Sequence, residues 1–346
     1  MASAMHEPAF WYRPESWQSR MLAPLAKLYG DIALRRLNAE GEHPGIPVIC
    51  VGNYHVGGAG KTPTVMALMA LLRQMGEMPV IVSRGYGGRM RGPVIVDPAK
   101  HGAQDVGDEP LMMAAQLPVV VSRDRAAGAR FARKHGASVV VLDDGFQNPG
   151  LRKDVSLIVI DGQRGLGNGQ VFPAGPLRAP LLPQMERTDA LVVIGNGIAA
   201  DGVMDTIARH GGKVWRAYLA PLESACAALR GRRVLAFAGI GDPTRFFRTL
   251  EDNGVTVVEQ RIFSDHHPYT AGEVSDLREA AMRQSLVLVT TAKDMARLKS
   301  DPALASLAQD IFTFPVTLGF AYDDDVRAFL SRRLRDAKAG KRSRRA

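Results

Sequence analysis

A glycine-rich loop between an apolar run and a helical pattern constrains the fold of this chain more than any other feature. Residues 48–51 read Val-Ile-Cys-Val, and the loop that follows ends in Lys61-Thr62, where a helical pattern begins. In such an arrangement, consecutive backbone N–H groups and the helix N-terminus together bind phosphate groups. We therefore predict a nucleotide site whose binding residues are Gly57, Gly58, Ala59, Gly60, Lys61 and Thr62.

The last two residues of the loop have separate roles in this prediction. Lys61 would reach the β- and γ-phosphates of ATP, and the Thr62 hydroxyl would ligate Mg²⁺. The strict phosphate-loop pattern has a glycine five residues before Gly60, whereas this chain has His55. The alternative interpretation is a glycine-rich turn that Lys-Thr follows by chance.

Two adjacent acids end another apolar run, at residues 139–143, and these are Asp143 and Asp144. One carboxylate would hold Mg²⁺ directly or through water, and the other would help to organise the site. The sequence does not distinguish which of the two is the direct ligand. Their alternative role is that of ordinary loop or helix-capping acids.

Apolar runs alternate with helical patterns along the first part of the chain. Runs that are apolar on both faces are typical of a parallel sheet covered by helices on both sides. We predict an α/β fold with a doubly wound, mostly parallel sheet like that of P-loop NTPases. The runs lie at residues 48–51, 80–83, 119–122, 139–143, 157–161 and 191–194, and helical patterns at 62–74 and 125–135 end at glycines.

A second alternation predicts a smaller α/β domain. Its runs lie at residues 234–238, 255–259, 286–290 and 312–316, and its helical patterns at 244–253, 271–283 and 323–336. The first alternation of apolar runs and helical patterns ends between residues 215 and 232. We therefore divide the chain into an N-terminal helix region (1–40), a phosphate-loop domain (41–222), a smaller C-terminal domain (223–335) and a basic tail (336–346).

The N-terminal region predicts an amphipathic helix over residues 16–37. Its apolar stripe consists of Trp17, Met21, Leu25, Leu28 and Ile32, which recur at spacings of four and three. Two interpretations remain open. The stripe packs on the protein's own core, or it lies in a membrane interface with tryptophan and basic neighbours as anchors.

The composition excludes several classes of protein. Hydrophobic residues make up 46% of the 346 residues and charged residues 23%, which argues against disorder and coiled coils. No apolar run reaches the roughly 18 residues of a spanning helix, and no signal peptide is expected. Cys50 and Cys226 cannot form a disulfide framework, so we expect two buried thiols and a cytosolic compartment.

The net charge of +9 is concentrated at one end of the chain. Residues 332–346 contain eight Lys or Arg and one acid, so the rest is close to neutral. A nucleic-acid-binding surface is therefore not expected. The tail either touches an anionic lipid surface or RNA, or it is a solvated end.

Further acids and bases follow predicted strands. Asp108 and Glu109 lie in the segment 106–110, and His266 and His267 lie in 264–268. A histidine that is hydrogen-bonded to a carboxylate is a competent acid–base pair near neutral pH. Arg123, Arg125 and Arg178 are candidate phosphate contacts. Taken alone, a loop aspartate or histidine is more often structural, and an isolated arginine is usually a surface residue.

The motifs in this order resemble the tetraacyldisaccharide 4′-kinase (lipid A 4′-kinase) family, over a stretch from about Arg13 to Arg332. The segments that carry the resemblance are Gly57-Gly-Ala-Gly-Lys-Thr-Pro63, Ser83-Arg-Gly-Tyr-Gly87, Val106-Gly-Asp-Glu-Pro110, Asp143-Asp-Gly-Phe-Gln147, Asp161-Gly-Gln-Arg-Gly-Leu-Gly-Asn-Gly169, Pro173-Ala-Gly-Pro-Leu-Arg178, Ala238-Gly-Ile-Gly241, Phe263-Ser-Asp-His-His267 and Thr290-Thr-Ala-Lys-Asp294. Any one of them could occur by chance, but the ordered set could not.

The resemblance implies a specific activity and location. Such enzymes transfer the γ-phosphate of ATP, with Mg²⁺, to the 4′-hydroxyl of a tetraacyldisaccharide 1-phosphate in lipid A biosynthesis. They work as peripheral proteins at the cytoplasmic face of the inner membrane of Gram-negative bacteria. This location favours the membrane interpretation of the N-terminal helix. We expect a monomer that binds this lipid and the membrane surface, and no nucleic acid.

The resemblance also implies residue roles. Lys61 and Thr62 serve the phosphates and Mg²⁺, and Asp143 and Asp144 match the family's acidic pair. Asp108 matches the general base, and His266, which directly follows Asp265, matches its histidine partner. Further residues expected to line the site are Glu109, Arg125, Gln147 and Arg178.

This chain departs from the family pattern at two positions. Asn148 stands where a histidine is usual, and Ala179 stands where an acid is usual, which argues against an essential role for either family side chain. Other activities remain open: a different phosphate-loop kinase, a regulatory NTPase, or a membrane adaptor that only binds nucleotide. An adaptor would not need the loop lysine and the carboxylates.

Overall fold

In the computed structural model, which describes residues 7–14 and 16–340, a nine-stranded sheet forms the larger unit. Its strands, labelled in chain order, are β1 (Val48–Gly52), β2 (Pro79–Ser83), β3 (Val94–Ile95), β4 (Val119–Val121), β5 (Val139–Asp143), β6 (Val155–Asp161), β7 (Ala190–Ile194), β8 (Lys213–Pro221) and β13 (Val316–Phe320). The spatial order is β13-β8-β7-β6-β1-β5-β2-β4-β3. Only the edge strands β3 and β13 pair antiparallel to their neighbours in the sheet.

Thirteen helices of the described residues surround the two sheets of the protein. They are α1 (Trp17–Asn38), α2 (Lys61–Gln74), α3 (Ala103–Val106), α4 (Asp108–Ala114), α5 (Arg125–Lys134), α6 (Leu181–Met185), α7 (Asp201–Arg209), α8 (Glu223–Leu229), α9 (Pro243–Asp252), α10 (Ala271–Arg283), α11 (Ala292–Ser300), α12 (Pro302–Leu307) and α13 (Asp323–Lys338). A short 3₁₀ turn, Ala9–Tyr12, precedes α1.

Helices cover both faces of the large sheet, so the doubly wound prediction is confirmed. On one face, Leu68 of α2 and Leu330 of α13 are fully buried against the strands. On the other face, Ala129 of α5 and Ile207 of α7 belong to the core. Strand β1 lies between β5 and β6, and all its residues are buried. The sheet therefore presents the end of β1 at its centre.

The smaller unit contains a four-stranded parallel sheet. Its strands are β9 (Arg233–Ala238), β10 (Thr256–Ile262), β11 (Val287–Thr290) and β12 (Phe312–Thr313), in the order β10-β9-β11-β12. Phe237 and Phe314 are among its largest fully buried side chains. The chain passes into this unit between β8, which ends at Pro221, and α8, which begins at Glu223.

The end of the chain does not belong to the smaller unit. We predicted that unit to extend to residue 335, but β13 pairs with β8 in the large sheet, and α13 buries Val326, Phe329 and Leu334 in the core of that sheet. That part of the prediction is wrong because periodicity along the chain does not show which sheet an amphipathic segment covers. The basic tail begins within α13, and its residues 341–346 lie outside the described residues.

The helix α1 packs on the larger unit through small residues. Its buried positions are Ser19, Ala26, Gly30 and Ala33. The predicted apolar stripe faces outward instead, and its five side chains are between 50% and 70% exposed. The interpretation in which this stripe packs on the protein's own core is therefore excluded. No helix of the described residues is long and apolar enough to cross a membrane.

Candidate active site

The glycine-rich loop joins β1 to α2 at the centre of the large sheet. Gly57 and Gly60 have positive φ angles of 105° and 86°, a conformation that glycine adopts without a steric penalty. A Cβ at Gly60 would collide with Ile194 of β7. Helix α2 then begins at Lys61, and Thr62 lies in its first turn. The loop thus has the backbone geometry that a phosphate-binding site requires.

The residue that departs from the strict loop pattern is buried. His55 is 3% exposed, and its Nδ1 lies 2.9 Å from the carbonyl oxygen of Val56. Burial lowers the pKa of the imidazole below its ordinary value, so this histidine is held in the neutral form. His55 therefore supports the loop from within and adds no charge to the phosphate site.

Asp144 lies between two cations at the end of β5. Arg178 donates from Nη1 to Asp144 Oδ1 at 2.6 Å, and Lys61 Nζ lies 3.8 Å from Asp144 Oδ2. Although burial acts in the other direction, Lys61 and Arg178 hold the pKa of Asp144 below its usual range. The structure thus brings together three side chains that the sequence predicted for one site.

Asp143 lies deeper and has the opposite electrostatic environment. It is 4% exposed and accepts a hydrogen bond from Ser83 Oγ at 3.3 Å. Burial, together with the carboxylates of Glu109 and Asp144, raises its pKa to about 7. Three carboxylates this close repel one another, and a divalent cation relieves such repulsion. Thr62, Asp143 and Asp144 therefore fit a Mg²⁺ site.

This Mg²⁺ site would depend on the nucleotide for further ligands. Across residues 7–14 and 16–340, no group of three or more His, Cys, Asp or Glu is arranged to hold a metal ion. Mg²⁺ commonly binds one or two carboxylates together with substrate phosphates and water. The donor set at the loop matches that pattern and does not match a cage made of protein ligands alone.

A second cluster joins the two units. His266 Nδ1 lies 2.7 Å from Asp108 Oδ2, where Asp108 is the first residue of α4 and His266 follows β10. The hydrogen bond with Asp108 raises the pKa of His266, and His266 and Arg297 lower the pKa of Asp108. The proton of the pair therefore stays on the histidine, and Asp108 is held as a carboxylate.

Glu109 connects this pair electrostatically to the phosphate loop. Its carboxylate Oε1 lies 2.7 Å from Lys293 Nζ, and Lys293 is the main cause of its lowered pKa. Lys61 and His266 lower the same pKa further. The phosphate loop, the acidic pair and the Asp108–His266 pair therefore form one continuous charged region.

Two candidate residues are engaged in supporting contacts. Gln147 Nε2 donates to the carbonyl oxygen of Asn53 and to Gln184 Oε1, each at 2.9 Å. It therefore connects the residue that follows β1 to helix α6. Arg125 is 4% exposed and donates from Nη1 to the carbonyl oxygen of Ser122. Its Nε is buried without a hydrogen-bond partner among the described residues, and burial lowers its pKa.

Two site residues have strained backbones. In the part of the chain that the structure describes, three residues other than glycine have positive φ angles, namely Asp144 (51°), His266 (59°) and Ser285 (53°). Such conformations cost free energy in L residues and cluster at active sites, where the surrounding structure enforces them. Two of the three lie in the predicted site.

Sequence reasoning missed the cations of α11. Arg297 Nε donates to Asp108 Oδ2 at 2.6 Å, and Lys293 pairs with Glu109 as described above. The segment Thr290-Thr-Ala-Lys-Asp294 was singled out without a role for Lys293, and α11 was not predicted. The available signal was the four-residue spacing of Lys293 and Arg297, which places both on one helical face.

Comparisons with known proteins agree with this site. Residues 18–335 match the sequence profile of the family described as tetraacyldisaccharide-1-P 4′-kinase (LpxK). Two similar curated relatives carry the name tetraacyldisaccharide 4′-kinase. The protein of Nitrobacter hamburgensis is 61% identical over 96% of this chain and 100% of its own length. That of Rhodopseudomonas palustris is 59% identical over 97% of this chain and 98% of its own length.

A solved structure has the same fold. The LpxK of Aquifex aeolicus, crystallised in complex with ATP, superposes with a TM-score of 0.70 at 26% sequence identity. The match covers 91% of this chain and 99% of that protein. The two-sheet architecture is therefore shared over almost the whole length of both chains.

Proposed function

The chain belongs to the tetraacyldisaccharide-1-P 4′-kinase family, and from this we propose that it transfers the γ-phosphate of ATP to the 4′-hydroxyl of a tetraacyldisaccharide 1-phosphate. The product is the 4′-phosphorylated lipid A precursor. The observation that carries the proposal is the junction of two clusters: Lys61 beside Asp144 at the loop, and Asp108 bonded to His266 next to Glu109.

Each cluster would do a separate part of the reaction. The loop and Lys61 bind the phosphates, and Lys61 with Arg178 stabilises the negative charge that spreads over the transferring group. Asp108 accepts the proton of the 4′-hydroxyl group while the oxygen of that hydroxyl group forms a bond to the γ-phosphorus. The bond between that phosphorus and the β,γ-bridging oxygen breaks, and ADP leaves with the electron pair.

Mg²⁺ is part of the proposal. Thr62, Asp143 and Asp144 would hold it, and the bound ion would neutralise phosphate charge at the transferring group. The carboxylates of Asp143 and Asp144 would balance the positive charge of the ion. Ser83 donates a hydrogen bond to Asp143 and so orients that carboxylate.

The helix α1 would bring the enzyme to its lipid substrate. Its outward stripe of Trp17, Met21, Leu25, Leu28 and Ile32 is exposed, and Arg35 and Arg36 are exposed in its last turn. This combination is typical of a helix that lies in a membrane interface. We therefore propose peripheral binding to the cytoplasmic face of the inner membrane, by a monomer whose site comes from one chain.

One segment connects this helix to the phosphate site. Ser19 of α1 donates to the carbonyl oxygen of Ala174 at 2.8 Å, and four residues later Arg178 binds Asp144. Trp11 donates from Nε1 to the carbonyl oxygen of Pro173 at 3.1 Å. This segment therefore links the start of α1 to the Arg178–Asp144 pair of the phosphate site.

The proposal is tested by labelled phosphate transfer in detergent micelles. The purified chain is incubated with γ-labelled ATP, Mg²⁺ and tetraacyldisaccharide 1-phosphate, and Lys61→Ala serves as the inactive variant. The control Lys100→Ala removes an exposed lysine that pairs with Asp97. We expect a doubly phosphorylated lipid from the wild type and from the control only. Nucleotide hydrolysis without a lipid product would instead identify a regulatory NTPase.

A further inference from the structure

Helix α11 of the smaller unit contacts the first turn of α4 through two cations. Lys293 Nζ lies 2.7 Å from Glu109 Oε1, and Arg297 Nε lies 2.6 Å from Asp108 Oδ2. Residues four apart lie on the same side of a helix, so a single helical face meets both acids. The two contacts join adjacent residues of the candidate site to one rigid element of the other unit.

Hydrogen bonds within the smaller unit fix the orientation of the Arg297 guanidinium. Its Nη1 donates to the carbonyl oxygen of Gly239 at 3.0 Å and to Asp294 Oδ1 at 2.7 Å. Asp294 is itself fully buried, and it accepts hydrogen bonds from Tyr269 Oη at 2.9 Å and Thr291 Oγ1 at 2.6 Å. The smaller unit therefore determines the direction in which Nε points.

Two sequence motifs without an assigned role converge on this arrangement. Gly239 lies in Ala238-Gly-Ile-Gly241, and Asp294 ends Thr290-Thr-Ala-Lys-Asp294. The backbone N–H of Gly239 also donates to Asp294 Oδ1 at 3.1 Å. Each motif thus supplies one of the two acceptors that hold Nη1 of Arg297.

The burial of Arg297 is unfavourable for stability taken alone. The side chain is 7% exposed, and among the described residues its buried Nη2 has no hydrogen-bond partner. A buried donor without a partner loses its interaction with water and gains nothing in return. The hydrogen bonds of Nη1 and Nε offset this cost, and an apolar residue here would leave the buried carboxylate of Asp294 without its cation and Asp108 without this donor.

Asp108 is engaged on one oxygen only. Both His266 and Arg297 donate to Oδ2, and no hydrogen bond from the described part of the chain reaches Oδ1. Two donors on one carboxylate oxygen, from different directions, restrict the rotation of the carboxylate. The oxygen Oδ1 remains available for another donor.

From this geometry we infer that Arg297 is a positioning residue for phosphoryl transfer. It holds Oδ2 of Asp108 so that Oδ1 can accept the proton of the acceptor hydroxyl, and Asp294 with Gly239 keeps Arg297 in place. The inference rests on the proposed function, because it assigns the base role to Asp108. Arg297 itself touches neither ATP nor the lipid in this assignment.

The test compares Arg297→Gln and Arg297→Lys with the wild type in the labelled-phosphate assay. Lys299→Gln, a change at an exposed lysine of the same helix, is the matched control. We expect Arg297→Gln to lower kcat about 10- to 100-fold, since a small misplacement of a reacting group has an effect of this size. The KM for ATP should stay within about twofold, because the phosphate loop is unchanged. Arg297→Lys should lower kcat less than Arg297→Gln does, because the lysine ammonium keeps the positive charge and can still donate a hydrogen bond.

A second readout is the same set of substitutions in an Asp108→Asn background. If Arg297 acts through Asp108, Arg297→Gln should change the residual kcat of Asp108→Asn by less than about twofold. Labelled ATP keeps this slow turnover measurable. Where the glutamine variant does not fold, Arg297→Lys supports the same cycle, with a loss of about three- to tenfold expected in the wild-type background only.

The inference is overturned if the Arg297 variants lower kcat by the same factor in the wild-type and Asp108→Asn backgrounds. It is also overturned if kcat is unchanged while the KM for ATP rises. Either result would show that Arg297 does not act by positioning Asp108. Failure of the proposed function gives a different result: the wild type itself would form no phosphorylated lipid. The two failures are therefore distinguishable in one set of assays.

Discussion

His266 Nδ1 and Asp108 Oδ2 lie 2.7 Å apart although 158 positions of sequence separate the two residues. The pair joins the loop after β10 in the smaller unit to the start of α4 in the larger one. A base and its partner that come from different units can be brought together or separated by a movement of the units. The chemistry of this site therefore depends on how the units are arranged.

If Asp108 and His266 act as one unit, their substitutions should not combine multiplicatively. We expect Asp108→Asn to lower kcat about 10²- to 10⁴-fold and His266→Gln somewhat less. The double variant should be no more than about threefold worse than the worse single variant. Steady-state kcat with labelled ATP measures all three. Losses that multiply would show that the two side chains act independently.

The same pair makes stability depend on pH in a defined direction. The pKa of His266 is raised by its hydrogen bond with Asp108, so the folded state binds this proton more tightly than the unfolded chain. The contribution of the pair is present below the unfolded pKa of about 6.5 and is lost as pH rises through the higher folded value. We expect the Tm difference between wild type and His266→Gln to be larger at pH 5.5 than at pH 9.

A matched histidine provides the control for that measurement. His210 Nδ1 lies 2.7 Å from the carbonyl oxygen of Thr206 rather than from a carboxylate. His210→Gln removes an exposed histidine without removing a contact to a carboxylate, so it is the control for the loss of a histidine as such. An equal pH dependence in the two variants would mean that Asp108 is not the cause.

Asp143 should destabilise the metal-free protein at alkaline pH. Its pKa is raised to about 7, mainly by burial. Between about pH 4 and pH 7 the folded state keeps a proton that the unfolded state has lost, so stability falls across this window as pH rises. We expect Asp143→Asn to raise Tm at pH 8 but to change it little at pH 4, and to lower activity. Thermal unfolding in EDTA measures this.

Asp205→Asn, at an exposed carboxylate of α7, is the control for general charge effects. It should leave Tm nearly unchanged at both pH values. If Asp143→Asn also fails to raise Tm at pH 8, the ionised Asp143 carboxylate does not destabilise the metal-free protein. The Mg²⁺ assignment requires that it does.

The exposed stripe of α1 should control membrane binding. Leu25 and Leu28 are 58% and 61% exposed, and burying a leucine in an apolar phase stabilises by about 1.5–3 kcal/mol. Replacing both with glutamate should weaken binding to phosphatidylglycerol-containing vesicles at least tenfold, as measured by co-sedimentation. Met282→Glu, an equally exposed apolar position in the smaller unit, is the control. Unchanged binding of the double variant would exclude α1 as the membrane contact.

The sequence predicts the large sheet well because its central strands are buried on both faces. The predicted run 139–143 coincides with β5, and all five of its residues are buried. By contrast, β8 is not among the predicted strands, since its residues alternate between buried and partly exposed positions. The sheet that an element joins is set by tertiary packing, which is why β13 and α13 were assigned to the wrong unit.

The candidate site was partly predictable for a similar reason. The loop residues are contiguous, so their chemistry is visible locally. The pairing of Asp108 with His266 came from a family resemblance, because no local pattern relates residues so far apart. Arg297 lies 189 positions from Asp108, on a helix whose mixed polar and apolar residues gave no clear period. Likewise, the period of α1 located its stripe but not its packed face, which consists of small residues.

The most direct test of the central claim is to compare tetraacyldisaccharide 1-phosphate with its 4′-deoxy analogue as acceptors for labelled phosphate. We expect a 4′-phosphorylated product from the first lipid and none from the second, with Lys61→Ala inactive on both. Equal labelling of the two lipids, or no labelling of either by an enzyme that binds ATP, would contradict it.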